Sequence, residues 1–412
     1  MTEPGAGAQP GGSSALAVHN LSVDFPTDDG VVHAVRGVSW SVNRGETLAI
    51  VGESGSGKSV TSLAIMGLLP KNAAIGGSVQ LHGREILRLS ERELSSIRGK
   101  QIAMIFQDPM TSLNPVYTVG WQLAEALRAH DDSLSKAAAR DRSIELLKLV
   151  DIPNPERRVD QYPHEYSGGM RQRAVIAIGM ANNPAVIIAD EPTTALDVTI
   201  QAQVLETLKK AQQETGAALV LITHDLGVVA GVADSVLVMY AGRPVELGYV
   251  DDIYYSPRMP YTVGLLGSLP RLDARTQERL TPIQGAPPSL INLPPGCPFG
   301  PRCPLHQARC DEQEPPFEVV EGHDHYAACW YSSTLAAEGI EASDIFAATA
   351  VDAEVPLAGT ALGGEEADLE QLGASAAAEK IRGRASTRAA SKAKKATPRT
   401  TPPKTTTPKD TP

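Results

Sequence analysis

The sequence predicts an α/β fold, a largely parallel sheet covered by helices, and three observations lead there. Residues 47–51, 185–189 and 217–222 are short, uninterrupted apolar runs rich in β-branched side chains, as expected of strands buried on both faces. Apolar residues recur at helical spacing between them, notably over 119–130 and 134–150. The first run opens directly into a glycine-rich loop and a helical stretch at 60–69.

The remaining elements follow in order. Residues 17–25 and 31–42, the latter around Gly37, read as strands joined by a turn. Strand-like runs recur at 77–81 and 101–106. Helical periodicity dominates between Asp108 and Tyr166, which predicts a helical subdomain of about 108–180. A helix from Arg171 to Met180 precedes the strand at 185–189, and a strand at 236–240 ends in the turn Ala241-Gly242-Arg243. Beyond Pro260 the chain becomes Pro-rich and holds all four cysteines. The expected organisation is a disordered N-terminus (1–15), one α/β unit (16–260), a Pro/Cys-rich C-terminal extension (261–332) and a low-complexity disordered tail (333–412).

The net charge of −11 conceals an asymmetry. Residues 336–379 carry ten Asp/Glu and no Lys/Arg, whereas 380–412 carry ten Lys/Arg and one acid, which leaves −20 on residues 1–379. So acidic a body argues against direct binding of nucleic acid. The basic end reads as a solvated tail, with weak contact to anionic lipid or RNA as the sharper alternative. No window approaches the ~18 apolar residues of a membrane span, and residues 1–15 lack the apolar centre of a secretion signal. The expected location is the cytoplasm, with any membrane role coming through a partner.

Gly52-Glu53-Ser54-Gly55-Ser56-Gly57-Lys58-Ser59 fits G-x-x-x-x-G-K-[ST], a phosphate-binding loop, and it stands between strand and helix as such a loop requires. Gly52, Gly55 and Gly57 let backbone N–H groups turn inward around phosphate oxygens together with those of Ser54, Ser56 and Val60, and the helix N-terminus adds its partial positive charge. Lys58 is placed to reach the β- and γ-phosphates and the Ser59 hydroxyl to ligate Mg²⁺. The strand 185–189 ends in Asp190 and Glu191, the arrangement in which one carboxylate serves Mg²⁺ and the next polarises the attacking water. These residues predict a nucleotide-binding site.

Tyr166-Ser167-Gly168-Gly169-Met170-Arg171-Gln172 adds a helix cap at Ser167 and two glycines that allow close phosphate approach. On this segment the chain resembles the ATP-binding-cassette family, whose signature is usually Leu-Ser-Gly-Gly-Gln. Tyr166 and Met170 depart from that pattern, while the Ser-Gly-Gly core is kept. The resemblance implies a P-loop nucleotide hydrolase cassette with an antiparallel β subdomain beside the helical one. It also implies roles at matching positions: Phe25 stacking on adenine, Gln107 sensing Mg²⁺ and the γ-phosphate, Asp197 in the loop that crosses a dimer interface, and His224 at the γ-phosphate. Ser167, Gly168 and Gly169 would meet the nucleotide held by a second cassette.

Further segments narrow the resemblance. Residues 106–115 (Phe-Gln-Asp-Pro-Met-Thr-Ser-Leu-Asn-Pro), 261–266, 285–290 and the Cys-Pro steps at Cys297 and Cys303 are similar to the ATPases of dipeptide/oligopeptide importers, over roughly 16–332. The partners implied are two transmembrane permease subunits, a second ATPase subunit and an extracytoplasmic peptide-binding protein. Nickel importers share these motifs and remain an alternative cargo class. A soluble cassette acting on nucleic acid or ribosomes is disfavoured, since one cassette is present and only 59 residues separate Gln107 from Ser167. An exporter fits the Cys-rich extension poorly.

Cys297, Cys303, Cys310 and Cys329 fall within 33 residues, and the other 379 contain none. In a reducing compartment such clustering points to a four-thiolate metal site. Spacings of 5, 6 and 18 residues lack the paired knuckles typical of zinc and suit the looped ligation of a [4Fe–4S] cluster, with Zn²⁺ or unliganded thiols as alternatives. His306, His323 and His325 lie nearby, and their simpler reading is as exposed loop residues.

Overall fold

A computed structural model describes residues 14–194, 197–268, 282–320 and 324–338. The strands run β1 (Leu16–Thr27), β2 (Gly30–Val42), β3 (Thr47–Val51), β4 (Ala74–Leu81), β5 (Arg84–Glu85), β6 (Ile102–Ile105), β7 (Val186–Asp190), β8 (Ala218–Thr223), β9 (Ser235–Tyr240), β10 (Arg243–Tyr249), β11 (Glu318–Val319) and β12 (Tyr326–Ala327). They form two sheets. One is antiparallel, in the order β2-β1-β4-β5. The other has the order β11-β12-β10-β9-β3-β8-β7-β6, with β6, β7, β8, β3 and β9 parallel. The expected fold class, a P-loop cassette with antiparallel β and helical parts, is the observed one.

Every residue of β3, β7 and β8 is buried, which is why those runs read as unbroken hydrophobics. Leu48, Ile50, Ile188, Val220 and Ile222 pack with Val18, Val23, Val35 and Trp40 of the antiparallel sheet. The opposite faces of β7 and β8, through Ile187, Ala189, Leu219 and Leu221, pack with the helical subdomain, including Leu123, Leu146 and Ile176, and with Val204 beyond it. Full burial of each such aliphatic side chain contributes about 1.5–3 kcal/mol.

The helices Val119–Arg128 and Lys136–Leu149 carry side-chain caps from Thr118 and Ser135. A helix absent from the sequence reading, Val198–Thr215, begins at the cap Asp197 and stops at Gly216, which takes φ 62. β10 was also not expected, because Pro244 and Gly248 argue against a strand. Its neighbours accommodate it: β9 pairs along its length with an irregularity between Pro244 and Glu246, and β12 pairs with Glu246 and Leu247.

The C-terminal extension is continuous with this body. Its strand β12 pairs with β10, and Tyr261, Phe299, Ala328 and Leu335 share a core with Ala49, Val51, Val238 and Tyr240. The helix Ser332–Glu338, with Leu335 buried, carries folded chain past the expected start of the tail at 333. The rest of that tail and residues 1–13 lie outside the described residues. Among the described residues no helix is long and apolar enough to cross a membrane.

Candidate nucleotide site

β3, β7, β8 and β6 are parallel neighbours, so the loops that follow them emerge at one edge of the sheet. In open α/β sheets ligands bind outside the carboxyl ends of the strands. A cleft of about 850 Å³ opens there, lined by Gly52 to Val60, Phe25, Gln107, Glu191 and His224. Leu265 and Leu290 of the extension complete its wall. Its volume suits a nucleotide, since ligand sites usually span ~300–1,000 Å³.

The glycine loop turns as its sequence requires. Gly52, Gly55 and Gly57 have φ of 149°, 80° and 96°, and Gly57 caps the helix Lys58–Ile65. A Cβ on Gly52 would stand 2.2 Å from the Met239 carbonyl oxygen. Lys58 folds over the loop, donating to the carbonyls of Gly52 at 2.7 Å and Glu53 at 2.9 Å. Burial pushes its ammonium below the ordinary lysine value, against the opposing pull of Glu191, Asp190 and Glu53. A cation held in so dry a place is poised to gain from a polyanionic ligand.

At the end of β7, Asp190 accepts a hydrogen bond from Ser59 Oγ at 3.0 Å. Burial raises the Asp190 carboxyl, and the Ser59 hydroxyl offsets part of that rise. Two hard oxygens side by side at the cleft floor fit a Mg²⁺ site. Glu191 takes φ 46°, a left-handed conformation costing about 1–3 kcal/mol in a residue with a Cβ. Its Oε2 accepts from Gln107 Nε2 at 2.9 Å and Thr194 Oγ1 at 2.8 Å, and His224 Nδ1 stands 3.5 Å away. Gln107 and His224, far apart in the chain, thus meet at the Glu191 carboxylate. Thr194 escaped the sequence reading, although its position three residues after Glu191 was the available signal.

Ser167, Gly168, Gly169 and Asp197 are not brought into this cleft. Ser167 and Asp197 are exposed caps, accepting from the N–H groups of Met170 at 3.4 Å and Ile200 at 3.0 Å. Gly169 has a packing reason that was not foreseen, because a Cβ there would meet Ile200 Cγ2 at 2.8 Å. Ala195 and Leu196 lie outside the described residues.

Cys297, Cys303, Cys310 and Cys329 line one narrow pocket as free thiols. Burial raises the thiols of Cys297 and Cys303, and that of Cys329 to about 12. Among the described residues, however, no three His, Cys, Asp or Glu side chains are gathered to hold a metal ion. The structure thus supports convergence of the thiols and leaves the iron–sulfur expectation without a formed ligand set. The reading of His325 as an exposed loop residue is corrected. It is 3% exposed and its Nε2 lies 2.8 Å from Glu246 Oε1, because β12 pairs with β10. His306 bonds Asp311 at 2.8 Å, and His323 lies outside the described residues.

A glycine loop at the end of a central strand, an Asp–Glu pair one strand beyond its neighbour, and a glutamine and histidine on the same carboxylate define an ATP-binding cassette. The comparisons agree. Residues 35–194 match the ABC transporter family, and 245–310 match the oligopeptide/dipeptide transporter C-terminal region. The chain is similar to the oligopeptide transport ATP-binding protein OppD of Mycobacterium tuberculosis, 56% identical over 334 residues, or 81% of this chain and 54% of that protein. It is likewise 54% identical to the dipeptide transport ATP-binding protein DppD of Bacillus subtilis over 331 residues, 80% of this chain and 98% of that one. The match spans about half the length of the mycobacterial relatives. Among solved structures, a dimeric ATP-binding cassette in a post-hydrolysis state bound to ADP and Pi matches at TM-score 0.52 and 28% identity, covering 57% of this chain and 98% of that one. The chain belongs to the family of oligopeptide/dipeptide transport ATP-binding proteins.

Proposed function

We propose that this chain binds and hydrolyses ATP to drive import of di- or oligopeptides through a membrane permease complex, at whose cytoplasmic face it sits peripherally. The observation that carries this reading is the convergence of Lys58, Ser59, Asp190, Gln107, Glu191 and His224 on one cleft. Lys58 binds the phosphates, and Phe25, on the cleft wall, stacks on the adenine. Ser59, Asp190 and Gln107 would hold Mg²⁺, which supplies charge neutralisation at the transferring phosphoryl group. Glu191 accepts a proton from water as its oxygen attacks the γ-phosphorus. The bond to the β–γ bridging oxygen breaks, giving ADP and phosphate. His224 steadies charge on the γ-phosphoryl oxygens.

The exposure of Ser167, Gly168 and Asp197 supports a second cassette as partner, since these residues do not reach the cleft of their own chain. Val198, 80% exposed beside Asp197, lies on the same stretch. Val116 and the stacked pair Tyr117–Trp121, exposed on the subdomain that follows Gln107, support docking of the permeases there. Purification of the tagged chain from native membranes in mild detergent should recover two polytopic permeases, a second cassette and an extracytoplasmic peptide-binding protein. Recovery with a nickel-binding protein, or with ribosomal or DNA-repair partners, would overturn the peptide reading.

The finer reading of the four thiols is a [4Fe–4S] cluster that staples the Pro-rich extension. Anaerobically prepared protein should then contain iron and acid-labile sulfide in equal amounts, about four of each per chain. Zinc alone, or neither element, would contradict that assignment.

A further inference from the structure

Glu53 is the first residue after the opening glycine of the P-loop, and it belongs to the cleft wall. Its carboxylate is gripped from the C-terminal extension, 249 residues away in sequence. Arg302 Nη1 donates to Oε2 at 2.6 Å and Nη2 to Oε1 at 2.8 Å, the fork-to-fork geometry of a strong ion pair. The Arg302 side chain is only 5% exposed, so this is not a loose surface contact. The Glu53 backbone N–H donates to Tyr261 Oη at 2.8 Å, and Arg302 Nη1 also donates to Tyr240 Oη at 3.2 Å. Tyr240, Tyr261 and Phe299 form a buried aromatic cluster with ring centroids 4.6–5.4 Å apart.

Arg302 is itself rigidly presented. It ends the short helix Gly300–Arg302, and the turn around it is closed by Gly300 N–H to Cys297 O at 2.8 Å and Cys303 N–H to Gly300 O at 3.1 Å. The other side of Glu53 faces the catalytic machinery, because Lys58 Nζ donates to the Glu53 carbonyl. An unbroken series of contacts therefore runs from the Cys297–Cys303 turn through Arg302 and Glu53 to Lys58.

We propose that Arg302 is a positioning residue for the nucleotide site: it holds the P-loop at Glu53 and neutralises a carboxylate on the cleft wall that would otherwise repel the phosphates. The extension is by this account a working part of the site. The inference rests on the nucleotide reading of the P-loop.

The test is equilibrium ATP binding by the purified full-length chain on a Glu191→Gln background, in four forms: unchanged, Arg302→Met, Glu53→Gln and the double variant. Arg302→Met should weaken ATP binding about tenfold, as expected when one like charge is released near a polyanion at an effective dielectric of ~20. The double variant with Glu53→Gln should recover most of the loss, because no carboxylate then remains on the cleft wall to repel the phosphates. Such recovery separates electrostatic positioning from simple damage to packing, which a second substitution would not repair. An unchanged affinity in Arg302→Met, or a double variant as weak as Arg302→Met, would overturn the proposal. Should Arg302→Met not fold, Arg302→Lys keeps the charge, loses the fork and should show a smaller loss, again relieved by Glu53→Gln; unaltered affinity there would overturn it equally. If the parent itself binds no ATP, the nucleotide reading fails instead.

Discussion

Replacing Glu191 by Gln leaves ATP bound and lowers turnover by about 10²–10⁴-fold, the usual worth of a positioned general base. The substitution is nearly isosteric, so the amide oxygen can still accept from Gln107 or Thr194, which hold the carboxylate at 2.9 Å and 2.8 Å. What the amide lacks is a basic lone pair for the proton of the attacking water. The left-handed backbone at Glu191 aims the side chain, and it is unaffected by the exchange. Phosphate release and nucleotide binding, measured on the same preparation, separate the two functions. Retained turnover would remove Glu191 from the chemistry.

A methyl group at Gly57 should abolish nucleotide binding and destabilise the chain by about 2–5 kcal/mol, from strain at positive φ and overpacking together. The φ of 96° there is accessible to glycine and costly to alanine. The added Cβ would lie 2.4 Å from the Ala34 carbonyl oxygen and 3.4 Å from Gly242 Cα, both backbone atoms that cannot swing aside. Relief requires the P-loop to leave β2, which removes the ring of N–H groups that receives phosphate. A thermal melt and an ATP titration of Gly57→Ala check both effects. An alanine variant that melts and binds as the parent does would show the loop to be far softer than its contacts indicate.

Legibility differed between parts of the site for a physical reason. The P-loop is contiguous and its chemistry demands fixed spacing, so residues 52–59 announce themselves. Gln107, Asp190, Glu191 and His224 each follow an apolar run, and parallel strands bring such ends to one edge whatever the detail of the intervening helices. The contribution of the extension had no such local sign. Leu265 and Leu290 line the cleft, and Tyr261 and Arg302 bond Glu53, through tertiary packing between segments more than 200 residues apart, for which the sequence carries no local pattern. The pairing of β12 with β10 buries His325, which its polar sequence surroundings had concealed. Gly169 has a further use that the sequence did not reveal, since glycine at a helix start serves phosphate approach and helix packing alike, and Ile200 lies against it. The four cysteines line one pocket, as their clustering in the chain implies, but among the described residues they do not form a metal-ligand group.

Labelled-peptide uptake by cells carrying Glu191→Gln at the native locus tests whether ATP hydrolysis at this residue powers peptide entry. Uptake should fall to the level of a strain lacking the gene while the variant chain still co-purifies with its permeases. Uptake at the parental rate by cells making only the hydrolysis-deficient chain would contradict that role for Glu191.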